Sequence, residues 1–239
     1  QILPQNVAQG SFLLGINHLF FPDDTIHVAV VDPGVGTDRR PVLLTTPCGT
    51  FVSPDNGLLS GVVDRYLEAV PESTGPVALP SELSAVHLTN PDYWRHPVSH
   101  TFHGRDIFTP VAAHLSLGVA PRDMGEPIDH LYYLPLPQPV SQGDAITGQV
   151  IYQDVYGNLV TNIPADNLPD VELVDVRIKG RSIVGLSRTF NDNLHVGEDG
   201  LIALAGSHGY LEVALPNGSA ADSLAGSEGE AVTVVYSSG

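Results

Sequence analysis

An α/β N-terminal domain, a central sheet with helices, followed by an all-β, barrel-like C-terminal domain is the architecture this sequence predicts. Three observations carry the prediction. Strand-like and helix-like patterns alternate over residues 1–137, the mixed order of an α/β fold. The stretch Leu134-Pro135-Leu136-Pro137-Gln138-Pro139 then breaks that order, and residues 138–143 read as a linker. From 144 to 239 short apolar runs follow one another with Gly, Asn and Pro turns at short intervals, the pattern of a sandwich or barrel.

In chain order, residues 6–20 carry apolar side chains at Val7, Phe12, Leu13, Ile16, Leu19 and Phe20, a helical spacing that Pro22 ends. Residues 25–31 are β-branched and apolar and read as a buried central strand, which stops at Asp32-Pro33-Gly34. Residues 41–46 and 50–52 read as strands joined by the Pro47-Cys48-Gly49 turn. Residues 53–57 form a loop, 58–70 a helix, 71–80 a proline-rich linker and 85–88 a short strand. Residues 90–100 are polar and aromatic. Residues 106–117 have a helical pattern, ended by Gly118. In the second half, strands are expected over 148–153, 159–162, 174–178, 181–185, 201–205, 210–215 and 231–236. There is no internal repeat and no low-complexity tract.

At 239 residues the chain is long enough to bury a good core in one or two domains. Its hydrophobic content of 42% excludes disorder. No apolar run is as long as a membrane span, and no signal peptide is visible. A single cysteine, Cys48, precludes an intramolecular disulfide and fits a reducing, cytoplasmic location. The net charge of −17, with Lys179 as the one lysine, repels nucleic acid and anionic lipid. The same field attracts small cations. The one methionine is Met124, so Gln1 is not a translation start, and the expectation is that residues upstream of it were cleaved or left out.

Four clusters hold candidate chemistry. In the first, 32–40, a strand ends in Asp-Pro-Gly and a pair of arginines closes the loop. It either presents a carboxylate at the lip of the sheet, where ligands bind in open α/β folds, or is a turn capped by its own Asp. The second, 96–106, carries His96, His100, His103, Arg105 and Asp106. Arg105 and Asp106 read as a structural ion pair, and His103 is a general base or a surface histidine. Three histidines in eight residues, with Asp32 or Asp106, raise a metal site, but no HExxH spacing accompanies them and the non-metal reading is preferred. The third, 152–163, is a strand, a polar turn with Asp154, Gly157 and Asn158, and another strand. Taken locally, it is a hairpin whose Asp and Asn satisfy their own backbone. The fourth, 205–210 with 217–221, places small residues at strand ends, where they form turns or let a flat ligand approach the backbone.

Together FFPDDTIHVAVVDPGVGTDRR, FVSPDNGLLS, TFHGRDIFTPVAAHLSLG, DVYGNLVTNI and GSHGYLEVALPNGSAADSL resemble, in this order, one family. They are similar to the S-adenosyl-L-methionine (SAM) hydroxide adenosyltransferases, or adenosine-forming SAM hydrolases, the hydrolytic relatives of fluorinase and chlorinase. The resemblance runs from about Leu3 to the C-terminus. It implies metal-free hydrolysis of SAM to adenosine and L-methionine, no cofactor, and adenosine as a bound product. It also implies a homotrimer with active sites at subunit interfaces. The family's Asp-Arg-His triad falls on Asp32, Arg39 and His103. Its contacts to the amino-acid end fall on Asp154 and Ser207, and its adenine contacts on Asn158 and the backbone near Ala220. Tyr156 or Phe190 falls at the aromatic wall beside the base.

Halogenases resemble the chain but carry tyrosine where Asp32 stands, and fluorinase has Tyr-Ser where this chain has His103-Gly104. An inserted loop of fluorinase is also missing, so the resemblance points to the hydrolytic branch. His208 stands where fluorinase has arginine and receives no role. The family's aspartate-rich TDFG-type segment, which binds the ribose hydroxyls, lies before the start of this sequence. The alternatives are a non-catalytic SAM or adenosine binder, and a metal-dependent hydrolase built on His96, His100, His103 and an aspartate.

Overall fold

The apolar runs on either side of Cys48 fold as adjacent strands, β2 (Pro41–Thr46) and β3 (Gly49–Pro54), antiparallel to each other. In the computed structural model, which describes residues 2–168, 174–191 and 197–236, they form the middle of the first of two units, Ile2–Leu136 and Pro137–Gly239.

In the first unit, β1 (Ile26–Val28) lies parallel to β3. β5 (Ser84–His87) and β6 (Glu126–Ile128) extend the other side antiparallel, giving the mixed order β1-β3-β2-β5-β6. Both faces of this sheet are buried, so its strands read as continuous apolar runs rather than alternating ones. Val42, Leu44, Phe51 and Ala85 pack on one face with Leu59, Val62 and Val63 and with Leu14 of α1 (Val7–Asn17). Leu43, Val52 and Val86 pack on the other with Ile107, Phe108 and Val111, where α3 (Thr109–Ser116) lies. α1 starts where Asn6 accepts from the Gln9 amide, a side-chain N-cap.

Several elements differ from expectation. The expected central strand 25–31 is three residues long and stands at the end of the sheet order, so Val28 and Val30 are each 43% exposed. Pairing stops after the Ala29 amide donates to the Val52 carbonyl, and the chain swings out toward Asp32-Pro33. The helix expected over 58–70 is only α2 (Ser60–Val63) and a 3-10 turn, Asp64–Tyr66. There tertiary bonds take over: the Tyr133 hydroxyl donates to Asp64, and the Leu134 amide to the Ser60 hydroxyl. The expected linker 71–80 contains β4 (Gly75–Ala78), paired with β7 (His130–Tyr133) as a separate two-stranded ribbon. Pro76 hid it from the pattern, yet a ribbon strand has an unpaired edge that tolerates proline. The helix expected from 106 starts earlier, with a π-helical turn over Gly104–Phe108.

The second unit is antiparallel throughout its ladders. β8 (Val140–Gln142) pairs with β9 (Ala145–Gln153). β9, β10 (Leu159–Pro164), β11 (Val174–Ile178), β12 (Arg181–Val184), β13 (Ile202–Ala205), β14 (Tyr210–Ala214) and β15 (Ala231–Tyr236) run in the order β12-β11-β15-β9-β10-β14-β13. The two ends of that order meet just beyond β12: Ser187 bridges Leu204, with the Ser187 amide donating to the Ala203 carbonyl at 2.8 Å. The result is a nearly closed barrel filled by Ile146, Val150, Leu159, Val176, Leu211 and Val232, among others. α4 (Ala220–Leu224) sits where only turns were expected. Ser219 caps it by accepting from the Asp222 amide, and Ser-x-x-Asp was the readable signal. No helix of the described residues is long and apolar enough to cross a membrane.

Candidate active site

Two segments of the first unit, the 32–40 loop and the stretch ending at His103, bring Asp32, Arg39 and His103 together. Asp32 follows β1, and the Val31 carbonyl before it is held by the Asn56 side-chain amide at 2.8 Å. Gly36 lets the 32–40 loop lie against the 100–103 segment: a Cβ there would stand 2.3 Å from the His100 carbonyl oxygen, and its φ of +78° suits glycine. Next door, Arg40 binds Asp55 through Nε at 2.9 Å, tying the loop's end to the 53–57 turn.

Arg39 grips Asp32 with a fork. Its Nε donates to Oδ1 at 2.9 Å and its Nη2 to Oδ2, with both side chains under 9% exposed. Nη2 also donates to His103 Nδ1 at 2.8 Å. A guanidinium has no acceptor, so Nδ1 must be the bare nitrogen and the imidazole proton resides on Nε2. Burial first, and the Arg39 cation second, push the His103 pKa below its ordinary 6.5. The third guanidinium nitrogen, Nη1, is buried and has no hydrogen-bond partner among the described residues. Arg39 Cζ lies over the Phe108 ring, 5.1 Å from its centroid. The arrangement therefore leaves one buried cationic donor unpaired among the described residues, on an arginine bonded to a histidine whose burial favours its neutral form. Residue patterns alone did not reveal the roles of Asn56 and Phe108, because each acts through a contact distant in sequence.

His103 gives the site an acid-side dependence with a defined sign. The fold binds its neutral form, so between the folded and unfolded pKa values the unfolded chain holds more protons. The stability His103 contributes is full above 6.5 and is lost as pH falls through the lowered folded value. The stability difference between wild type and His103→Asn, followed by urea unfolding between about pH 5 and 8, should shrink toward acid. A difference that stays flat with pH would contradict this account.

His96 and Asp106 of the same cluster are otherwise engaged. His96 Nε2 lies 3.0 Å from the Pro91 carbonyl. Asp106 is fully buried and accepts from Arg105 Nε at 2.7 Å, the Ser99 amide at 2.9 Å and Arg95 Nη1 at 3.2 Å, contacts that hold its pKa far below the usual carboxylate range. It is a structural anchor, as the sequence suggested. Among the described residues, no three His, Cys, Asp or Glu side chains are grouped so as to hold a metal.

The second unit carries a cleft of about 480 Å³ lined by Tyr156, Asn158, Phe190, Asn191, Asn217 and Gly218, with Leu215 and Pro216. Both candidate aromatic walls, Tyr156 and Phe190, line it. Asn158 is 7% exposed at its edge. Asp154 turns inward to its own hairpin: Oδ1 accepts from the Tyr156 and Asn158 amides and Oδ2 from Asn158 Nδ2 at 2.9 Å. This is the self-satisfied turn that the local pattern favoured. It also fixes the Asn158 amide plane, leaving Oδ1 and one N–H for a ligand. Gly157, at φ +84°, lets this turn meet Ser219, and its carbonyl accepts from the Ala221 amide at 2.9 Å. Asn158 and Ala220 are thereby neighbours. Ser207 stands on the exposed turn between β13 and β14 and is not among the residues lining the cleft. Beside it His208 Nε2 lies 3.2 Å from the buried Glu212 carboxylate.

A mixed α/β unit followed by an antiparallel barrel unit is also the two-part layout of a known protein class. Residues 1–125 match the SAM hydroxide adenosyltransferase N-terminal domain, and 148–233 match the C-terminal domain of the same family. The chain belongs to the SAM hydroxide adenosyltransferase family. It is 38% identical to a protein of Salinispora arenicola named (R)-S-adenosyl-L-methionine hydrolase, over 97% of this chain and 82% of that one. A protein of the same name from Thermus thermophilus is 35% identical, over 97% and 84%. Among solved structures, an uncharacterized conserved protein from Thermotoga maritima matches with a TM-score of 0.83 at 31% identity, covering 98% of this chain and 86% of that one.

Proposed function

We propose that this chain hydrolyses S-adenosyl-L-methionine to adenosine and L-methionine, by in-line attack of an activated water on the ribose C5′. The observation that carries the reading is the Asp32–Arg39–His103 constellation with its unpaired donor, Arg39 Nη1. The sulfonium makes neutral methionine a good leaving group, so no general acid is required at sulfur. The protein's task is to position an oxygen and favour its hydroxide-like form, and positioning alone supplies several kcal/mol of a barrier. Arg39 Nη1 and the His103 Nε2–H are two donors able to hold that oxygen. His103 thus serves as a donor rather than as the base expected from its type, because its one lone pair already faces Arg39. The reaction forms the C5′–O bond, breaks the C5′–S bond and releases one proton to solvent. Nucleophile and sulfonium carry opposite charge, which favours the step where water is excluded.

In this reading Asn158 and the backbone near Ala220 receive adenine, with Tyr156 or Phe190 as its wall. Asp154 and Ser207 meet the amino-acid end. The two domains are 1–137 and 144–239, and the linker at 138–143 joins them while lending β8 to the barrel sheet; the assembly is a homotrimer and its place is the cytoplasm. Support for the cleft assignment is its aromatic lining around a buried, oriented amide. An asparagine amide pairs with the N6/N7 edge of adenine.

The direct test is incubation with SAM and chromatography for adenosine and methionine. Release should survive exhaustive chelation, because every proposed contact is a protein donor or acceptor. Turnover lost with EDTA and restored by zinc would favour a metal-dependent hydrolase instead. Adenosine binding without any turnover would make the protein a binder.

A further inference from the structure

Resting on the hydrolase reading, we propose that Phe108 is a positioning residue for the reaction, and that the π-helical turn Gly104–Phe108 is the device that places it. Asp32 and His103 hold Arg39 along one edge of its guanidinium, through Nε and Nη2. A planar group gripped along one edge still rocks about that edge. Rocking would move Nη1, the atom offered to the attacking oxygen. Phe108 supplies the missing restraint, since the Arg39 cation lies over its ring. Its ring is fully buried and faces the guanidinium at 5.1 Å, a cation–π geometry.

The helix geometry shows why a π turn is needed. In a regular α-helix, residues five apart point about 140° away from each other around the axis. His103 and Phe108 are five apart, and both touch Arg39. The turn between them closes with a wider ring: the Gly104 carbonyl accepts from the Thr109 amide and, at 2.8 Å, from the Thr109 hydroxyl. Such π turns are rare single insertions in otherwise α-helical segments and gather at functional sites. This one is clamped by Asp106, whose buried carboxylate binds Ser99, Arg95 and Arg105. The extra residue in the turn lets one short segment contribute both the partner at the edge of Arg39 and the ring that its cation lies over.

Two variants separate this role from simple packing. Phe108→Leu removes the ring face, and Phe108→Tyr keeps it. The leucine variant should lower kcat for SAM roughly ten- to a hundredfold, the scale of a sub-ångström to ångström misplacement of a catalytic group. KM should stay within about threefold, since the loss is of a transition-state interaction. The rising limb of kcat against pH should move to higher pH, because the cation no longer sits steadily beside the oxygen that loses a proton. Phe108→Tyr should restore both. Thr109→Val, which removes only the hydroxyl bonded to Gly104, leaves the core intact and should shift the same limb in the same direction by less. A fall in kcat with an unmoved pH limb, or a tyrosine variant as poor as leucine, would overturn the proposal. The Arg39 Nε–Hε resonance gives a readout independent of turnover: it should lose its ring-current shift in Phe108→Leu. If wild type released no adenosine the hydrolase reading would fail, while an unchanged Arg39 resonance would refute the Phe108 contact by itself.

Discussion

Replacing Asp32 by alanine lowers adenosine release from SAM by roughly 10²-fold or more, the scale of losing a positioned acid–base group, and Arg39→Ala does at least as much. The reason lies in the fork. Asp32 fixes two nitrogens of Arg39, and that leaves Nη1 with one place to point. Losing the carboxylate releases the guanidinium; losing the guanidinium leaves no cation beside the attacking oxygen. If the two side chains act as one unit, the double variant is no slower than the slower single. The fold is also affected, since each single variant strands a buried charge, at a cost of about 3–5 kcal/mol. Unfolding in urea must therefore accompany the kinetics, and rates are compared where both proteins are folded. In ¹⁸O-water the label should enter the 5′ oxygen of adenosine. A wild-type rate in Asp32→Ala, or adenosine without solvent label, would exclude this mechanism.

Much of the fold was legible because its core strands carry the pattern of their burial. β2 and β3 read as continuous apolar runs since both sheet faces are covered, and β11 and β15 were located to the residue. What escaped was set by contacts remote in sequence. β4 contains a proline that only a ribbon edge tolerates. α4 is five residues long and depends on its Ser219 cap more than on periodicity. β1 has an apolar sequence yet lies at the sheet's end, because composition does not encode a strand's place in the order. The site divides in the same way. Residue types made Asp32 and His103 candidates, and the family resemblance grouped them with Arg39. Neither disclosed that His103 offers Arg39 its only lone pair, since a tautomer is decided by the partner and not by the histidine. Nor did the pattern around Asp154 show that the turn it satisfies is also what orients Asn158.

That orientation makes the second large effect a coupled one. Asn158→Ala weakens adenosine binding by about 1–3 kcal/mol, the cost of leaving a buried polar partner unpaired. Asp154→Ala weakens it as well, although the carboxylate is spent on the Tyr156 amide, the Asn158 amide and Asn158 Nδ2. Without it the turn loses three bonds, and the Asn158 amide plane is free to rotate away from the purine edge it must match. An effect transmitted through Asn158 has a signature: once Asn158 is alanine, removing Asp154 has little left to change. The double variant should therefore bind adenosine about as well as Asn158→Ala, with a coupling energy of roughly 0.5–3 kcal/mol between the two sites. Asp154 contacts adenosine directly if the two losses simply add. Adenosine, lacking the methionine end, is the right ligand for this cycle, because any contact of Asp154 to the substrate's amino group is then silent. Calorimetric titration of the four proteins decides it, and an unchanged affinity in Asn158→Ala would remove the cleft beside Tyr156 and Phe190 from the nucleoside site.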